Sequence, residues 1–230
     1  MNYHISIPTR VPENLSLCLD AIYKHEKVTP DDITAIIDNE DGNKFKDDRC
    51  KYVISERHRD NAYVHYEGQR QGGDKDIIVC DDDVFLQTPG GFTIISEEAR
   101  KDHRWGCLLP SFKGIRCTTD MIHQDTGGVR EVNLLAFHCV YMRREIADGP
   151  GCIDSIFRGF GMQDCDQFVS LRLAGLKIGV CDHVLCLHGT EVSGGRVNPG
   201  WEIEHVHNHA AFEKKWGFSA NEIQSRVTRP

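Results

Sequence analysis

Ile77-Ile78-Val79-Cys80-Asp81-Asp82-Asp83-Val84-Phe85-Leu86 is the stretch on which the fold turns. A short, β-branched apolar run reads as a buried strand. It leads straight into three consecutive carboxylates, which therefore sit at the strand's C-terminal end. In an open α/β sheet that edge is where ligands bind. Three adjacent aspartates repel one another, and a divalent cation removes the repulsion. Mg²⁺ and Mn²⁺ prefer carboxylate oxygens and commonly bridge to a substrate's phosphates. The plain alternative is a solvated acidic turn. With 35 Asp and Glu in the chain, Asp-x-Asp recurs by chance, as at Asp74-Lys75-Asp76. Only Asp81–Asp83 follows the apolar strand directly.

Upstream, Tyr3–Ile7 alternates as a strand and stops at Pro8-Thr9-Arg10. Pro12 and Glu13 open a helix with Leu15, Leu19 and Ile22 on one face. Asp32–Ile37 reads as a second strand, ending in the acidic loop Asp38-Asn39-Glu40-Asp41-Gly42. Lys51–Ser55 is a third strand, and Asp60–Gln71 a helix stopped by Gly72-Gly73. Strand, helix and strand in alternation predict a mostly parallel central sheet flanked by helices. The first half looks like a nucleotide-binding unit, yet neither Gly-x-Gly-x-x-Gly nor a Gly-Lys-Ser/Thr loop is present.

Downstream, Gly91–Lys101 is helical, and Trp105–Leu109 is a strand ending at Pro110. Ser111–Arg130 has no assignable pattern. Val132–Met142 is β-rich and precedes a short helix, Arg143–Ala147. Arg158–Asp166 leads into a helix that buries Phe168, Leu171 and Leu173 and ends at Gly175. Ile178–His188 gives one or two strands, and Gly189–Gly200 reads as a mobile segment hinged at Gly194-Gly195. The last strong helix is Glu202–Trp216, followed by a polar tail expected to fray. One domain over 1–230 is expected, with about 1–86 binding the nucleotide, about 87–216 the catalytic half, and 217–230 a tail.

The composition is that of a soluble globular protein, 40% hydrophobic and 27% charged. A formal net charge of −8 argues against broad binding to nucleic acid or anionic membrane. No basic-then-apolar leader is recognisable and no run approaches a bilayer span. Ten cysteines, mostly single and set in apolar stretches such as those around Cys80, Cys107, Cys139 and Cys181, read as reduced core thiols. A cytoplasmic location is the expectation. Cys181-x-His183-x-x-Cys186-x-His188 imitates a zinc cluster, but its spacing fits no standard pattern, and strand alternation splits it between two faces.

Taken together, these stretches resemble the family 2 glycosyltransferases, which have the GT-A fold. Ile5-Ser6-Ile7-Pro8-Thr9-Arg10 is similar to that family's first strand and proline-threonine turn, and Asp81-Asp82-Asp83 to its Asp-x-Asp motif. Gly159-Phe160-Gly161-Met162-Gln163-Asp164-Cys165-Asp166 followed by Leu171-Arg172-Leu173-Ala174-Gly175 resembles its Gly-x-Glu-Asp-x-Asp stretch and helix, with Gln163 where Glu is usual. His188 resembles its late histidine, and His207-Asn208-His209-Ala210-Ala211-Phe212 its closing helix.

The resemblance implies a metal-dependent, inverting transferase that moves a sugar from a nucleotide-diphosphate sugar, UDP favoured, to an acceptor hydroxyl. Pro8, Thr9, Arg10, Asp38, Asp81 and Asp82 would contact the donor, Asp38 at the base. Asp83 and His188 would hold Mn²⁺ or Mg²⁺, with Mn²⁺ the better match for an imidazole. Asp164 would be the general base, although helix capping is the competing role for Asp164 and Asp166. Asp166 and Trp201 are weaker candidates for the acceptor side or a lid, and Trp201 would equally serve to anchor the last helix. Arg10, Arg57 and Arg59 are candidates for the diphosphate. The acceptor is open among a glycan, a protein, a lipid-linked precursor and a modified nucleic-acid base. A sugar-1-phosphate nucleotidyltransferase and an inactive sugar-nucleotide-binding module are the alternatives.

Overall fold

The computed structural model describes residues 1–38, 45, 47–57, 60–114, 119–133, 136–189 and 201–227, with backbone only at Thr119, Trp201 and Gln224. The acidic loop beyond Asp38, Arg59, and the 190–200 segment with its Gly194-Gly195 hinge lie outside the described residues.

The N-terminal half is built as the sequence predicts. Strand β1 (Tyr3–Thr9) is buried along its whole length. Helix α1 (Pro12–His25) starts on proline and turns Leu15, Cys18, Leu19 and Ile22 inward. Then come β2 (Ile33–Ile37), β3 (Lys51–Ile54), α2 (Asn61–Gln69), β4 (Asp76–Cys80) and β5 (Val84–Leu86). Strand β1 pairs in parallel with both β2 and β4, and β2 in parallel with β3. Ile5, Ile7, Ile33, Ile36, Ile37, Ile77 and Ile78 are all buried here. Each contributes roughly 1.5–3 kcal/mol of transfer free energy. Because Ile5 registers with Ile78 and Ile33, the chain leaves β1, β2 and β4 at one edge, delivering Thr9, Asp38 and Asp81 side by side.

The remaining elements are α3 (Gly91–Lys101), β6 (Trp105–Gly114), β7 (Val129–Glu131), β8 (Cys139–Met142), α4 (Arg144–Ala147), α5 (Gln163–Leu173), β9 (Lys177–His188), α6 (Trp201–Trp216) and α7 (Ile223–Arg226). The sheet order is β3-β2-β1-β4-β8-β6-β9-β5, with β7 on β9. It is mixed: β8 runs antiparallel to β4 and β6, and β5 and β7 run antiparallel to β9. Among the described strands, β6 and β9 extend the parallel pairing into this half.

Several boundaries differ from expectation, each for a physical reason. Strand β6 does not stop at Pro110; it continues to Gly114, with a register shift between Pro110 and Ser111. A bulge is where a strand tolerates proline, which lacks the amide proton. Ser111–Arg130 therefore contains the end of β6, a 3₁₀ turn at Thr119–Met121 and the start of β7. Among the described residues of Val132–Met142 only Cys139–Met142 is strand. Ile178–His188 belongs to one long strand. Leu173 is 62% exposed, unlike Phe168 and Leu171, because α5 has turned it past the core face. The described part of the tail, to Val227, is docked rather than frayed: Ile223 and Val227 are buried, and Glu222 accepts from the Ser219 backbone and hydroxyl, each at 2.9 Å.

Candidate active site

The three aspartates point into three different environments. Asp81 accepts hydrogen bonds from two imidazoles, His65 Nε2 on its Oδ1 and His138 Nδ1 on its Oδ2, each at 3.1 Å. Burial disfavours its charge, but the two imidazoles outweigh burial and hold the carboxyl well below the usual carboxylate range. Both oxygens are thus engaged inside the protein. Asp81 anchors two rings.

Asp82 faces the turn after β1. Its Oδ2 accepts from Thr9 Oγ1 at 2.6 Å and from the Arg10 amide at 3.4 Å. Burial pushes its carboxyl up to about 7; the Thr9 hydroxyl opposes this, and the charges of Asp83 and Asp81 add to it. Arg10 in turn donates Nε to Asp38 Oδ2 at 3.1 Å, and its Nη2 reaches the same oxygen. The Asp38 amide closes the corner by donating to the Thr9 carbonyl at 2.8 Å. Pro8, Thr9, Arg10, Asp38 and Asp82 are therefore one connected corner of the sheet edge.

Asp83 meets His188. The pairing of Val84 with His188 between β5 and β9 brings them together, and the Gly189 amide donates to the Asp83 carbonyl at 3.0 Å. Asp83 Oδ1 lies 3.6 Å from His188 Nε2, too long for a hydrogen bond. His188 is 3% exposed, and its Nδ1 is buried without a hydrogen-bond partner among the described residues. Among the described residues no group of three potential ligands assembles, and the Cys181–His188 segment forms no zinc cluster. Cys181 and Cys186 are buried free thiols, whereas His183 is exposed. One carboxylate and one imidazole converging without bonding suit a divalent cation that completes its shell with phosphate oxygens and water.

The loop before α5 has an unusual backbone. Gly159, Gly161 and the non-glycine Met162 all have positive φ, at 60°, 100° and 71°. Glycine at 159 suits the left-handed backbone and leaves room for the Glu204 carboxylate, which a Cβ would displace. The fully buried Asn208 of α6 accepts from the Arg158 amide and donates to the carbonyls of Arg158 and Gly161. Asp60 accepts from the Gly159 amide at 2.8 Å. This clamp sets the first turn of α5. Asp164 stands there with its Oδ1 accepting from the adjacent Cys165 amide at 2.8 Å. Burial raises its carboxyl above the usual range, with the Cys165 amide and the His138 charge opposing. Gln163 Oε1 is buried without a partner among the described residues.

Asp166, two residues on, is 1% exposed and bonded to Lys215 and to the Trp216 indole. It ties α5 to α6. Trp201 begins α6, and its side chain lies outside the described residues. Arg57 lies over the Tyr63 ring, 4.3 Å from its centroid, and 3.9 Å from Asp60, so its nearest partners are on its own segment.

His65 and His138 were not singled out by sequence reasoning. His65 sits in a helical stretch with no motif. His138 is a polar residue inside the apolar run before β8, and that interruption is the one signal that marks it.

No sequence-family model matches the chain, and no curated protein matches it. Solved structures do. GalNAc-T7, with UDP, GalNAc and Mn²⁺, superposes with a TM-score of 0.77 at 12% identity, over 96% of this chain and 49% of that one. S. aureus TarS 1–349 in complex with UDP-GlcNAc superposes with a TM-score of 0.65 at 14% identity, over 99% and 76%. A mannosyltransferase from Pyrobaculum calidifontis in complex with GDP-Man and Mn²⁺ gives 0.62 at 14%, over 98% and 68%. The chain spans about half the length of the GalNAc-T7 chain. The mixed sheet with its aspartates at the strand edge is the GT-A glycosyltransferase fold.

Proposed function

We propose that this chain is a metal-dependent glycosyltransferase that moves a sugar from a nucleotide-diphosphate sugar to an acceptor hydroxyl with inversion. The observation that carries the reading is the convergence of Asp83 and His188 at 3.6 Å, beside the Thr9–Asp82 corner. The GT-A fold supports it, as do the nucleotides and Mn²⁺ with which the similar structures were solved. UDP is the favoured donor nucleotide, from the family resemblance.

Each residue has a task in this scheme. Thr9, Arg10, Asp38 and Asp82 line the nucleoside end of the donor, with Asp38 at the base. Asp83 and His188 hold Mn²⁺ or Mg²⁺, which supplies positive charge to the diphosphate leaving group when bound. Asp164 accepts the proton of the acceptor hydroxyl. The acceptor oxygen forms a bond to the anomeric carbon as the bond from that carbon to the phosphate oxygen breaks, and nucleoside diphosphate departs. A carboxyl raised by burial is a stronger base than an exposed one, which suits Asp164 to this step.

The test is a panel of UDP- and GDP-sugars with Mn²⁺, read by nucleoside diphosphate release. Release of nucleoside diphosphate is the expected result. Pyrophosphate from nucleoside triphosphate and sugar phosphate would mean a nucleotidyltransferase instead, and binding without turnover an inactive module. Mass spectrometry of cell extract treated with enzyme and donors would then identify the acceptor.

A further inference from the structure

A metal-binding histidine usually donates its second ring nitrogen to a carboxylate or carbonyl, which fixes the ring's angle. His188 lacks that device, since its Nδ1 is buried with no hydrogen-bond partner among the described residues. Its orientation must come from packing, and the neighbouring rings provide it. His138 stacks on His188 with centroids 3.9 Å apart and planes inclined by 35°. Phe112, fully buried, presents its edge to both rings, 5.9 Å from His188 and 6.4 Å from His138. His138 is itself fixed: its Nδ1 is bonded to Asp81, and Asp81 is held from the other side by His65.

The order of support is therefore His65, Asp81, His138, His188. We propose that His138 is a positioning residue that orients His188 for the divalent cation, and that Asp81 acts through it as the anchor. The first aspartate of the acidic run would then serve the cation at one remove, through a stacked ring, while the third serves it directly. This inference rests on the reading that Asp83 and His188 hold the cation.

The test is Mn²⁺ binding in the presence of UDP or GDP, followed by calorimetry and by the electron paramagnetic resonance signal of the free ion. His138→Ala should weaken Mn²⁺ binding by about 10-fold, within the range for residues that support a ligand. His138→Phe keeps a stacking ring and should restore most of the affinity. His138→Asn keeps a hydrogen-bonding partner for Asp81 but loses the stack, and should resemble Ala. In a double-mutant cycle, His138→Ala added to His188→Ala should have no further effect, because it acts through the ring already removed. Wild-type affinity in His138→Ala, or effects of the two substitutions that multiply, would overturn the positioning role. A different pattern marks failure of the underlying reading. If Asp83→Ala and His188→Ala both bind Mn²⁺ like the wild type, or if the wild type binds none with either nucleotide, the cation site itself is misplaced.

Discussion

The indole Nε1 of Trp216 donates to Oδ1 of Asp166 at 2.8 Å, and the Lys215 ammonium reaches the same carboxylate. Two carboxylates in the first turn of α5 thus have opposite situations. Asp166 is a buried tie between helices, and Asp164 lies within the fields of His138 and His65.

Asp166→Ala should therefore destabilise the protein without disabling the site. It leaves the Trp216 indole N–H without its buried acceptor and Lys215 with Asp154 alone, at a cost of about 1–3 kcal/mol. Urea unfolding measures this, and Mn²⁺-dependent nucleotide binding of the folded variant should stay close to wild type. A loss of stability below about 0.5 kcal/mol, the range of an ordinary surface substitution, would show the tie to be dispensable.

The first half of the fold was legible because its signals are local. A β-branched run before three aspartates, Pro12 at a helix start and Gly72-Gly73 at a stop each act within a few residues. The second half was less legible because its order is set by pairing between distant residues. Nothing local says that Cys139 lies opposite Cys80, or that Pro110 falls at a bulge. The site divides the same way. Asp81–Asp83 stand out as a run, but their three separate environments depend on Thr9, His65, His138 and His188, which come from four other parts of the chain. Asp164 and Asp166 lie two residues apart on α5, and their different roles depend on where α6 docks, which no motif states.

A pH effect should arise far from the site, at His4. This ring is 4% exposed and shares a 2.9 Å hydrogen bond with Thr34. Burial lowers it from 6.5 to about 4, with the Lys75 charge adding and Asp32 opposing. Between those values the unfolded chain binds the proton and the folded chain does not. Stability from this group is complete above pH 6.5 and is lost as pH falls through the window to 4. Wild type should lose up to about 3 kcal/mol more than His4→Gln between pH 7 and 4. Chemical denaturation at both pH values tests this, and parallel losses in the two proteins would remove His4 from the acid transition.

Asp83→Ala should abolish Mn²⁺-dependent nucleotide binding and leave the fold intact or slightly firmer. The gain comes from Asp82, whose carboxyl is pushed up in part by the Asp83 charge. Isothermal titration with UDP at fixed Mn²⁺ measures the first effect and thermal unfolding the second. Unchanged metal-dependent affinity would take Asp83 out of the site. His188→Ala should weaken binding less, as one ligand among several.

Asp164→Asn tests the chemistry itself. The substitution nearly preserves shape, and Asn Oδ1 can still accept from the Cys165 amide, so α5 should start as before. What is lost is the basic lone pair. Gln163 cannot replace it, since an amide takes no proton at neutral pH. Asp166 cannot replace it either, because its two oxygens are held by Lys215 and Trp216. Turnover at saturating donor and acceptor should fall by about 10²–10⁴-fold, the usual contribution of a positioned base. Donor and Mn²⁺ affinity should survive, because Asp164 touches neither the Thr9–Asp82 corner nor the Asp83–His188 pair in the described contacts. If Asp164 only caps the helix, Asn caps about as well and turnover should hardly change. Near-normal turnover would thus refute the base assignment, and a simultaneous loss of donor binding would place Asp164 on the donor side of the cleft.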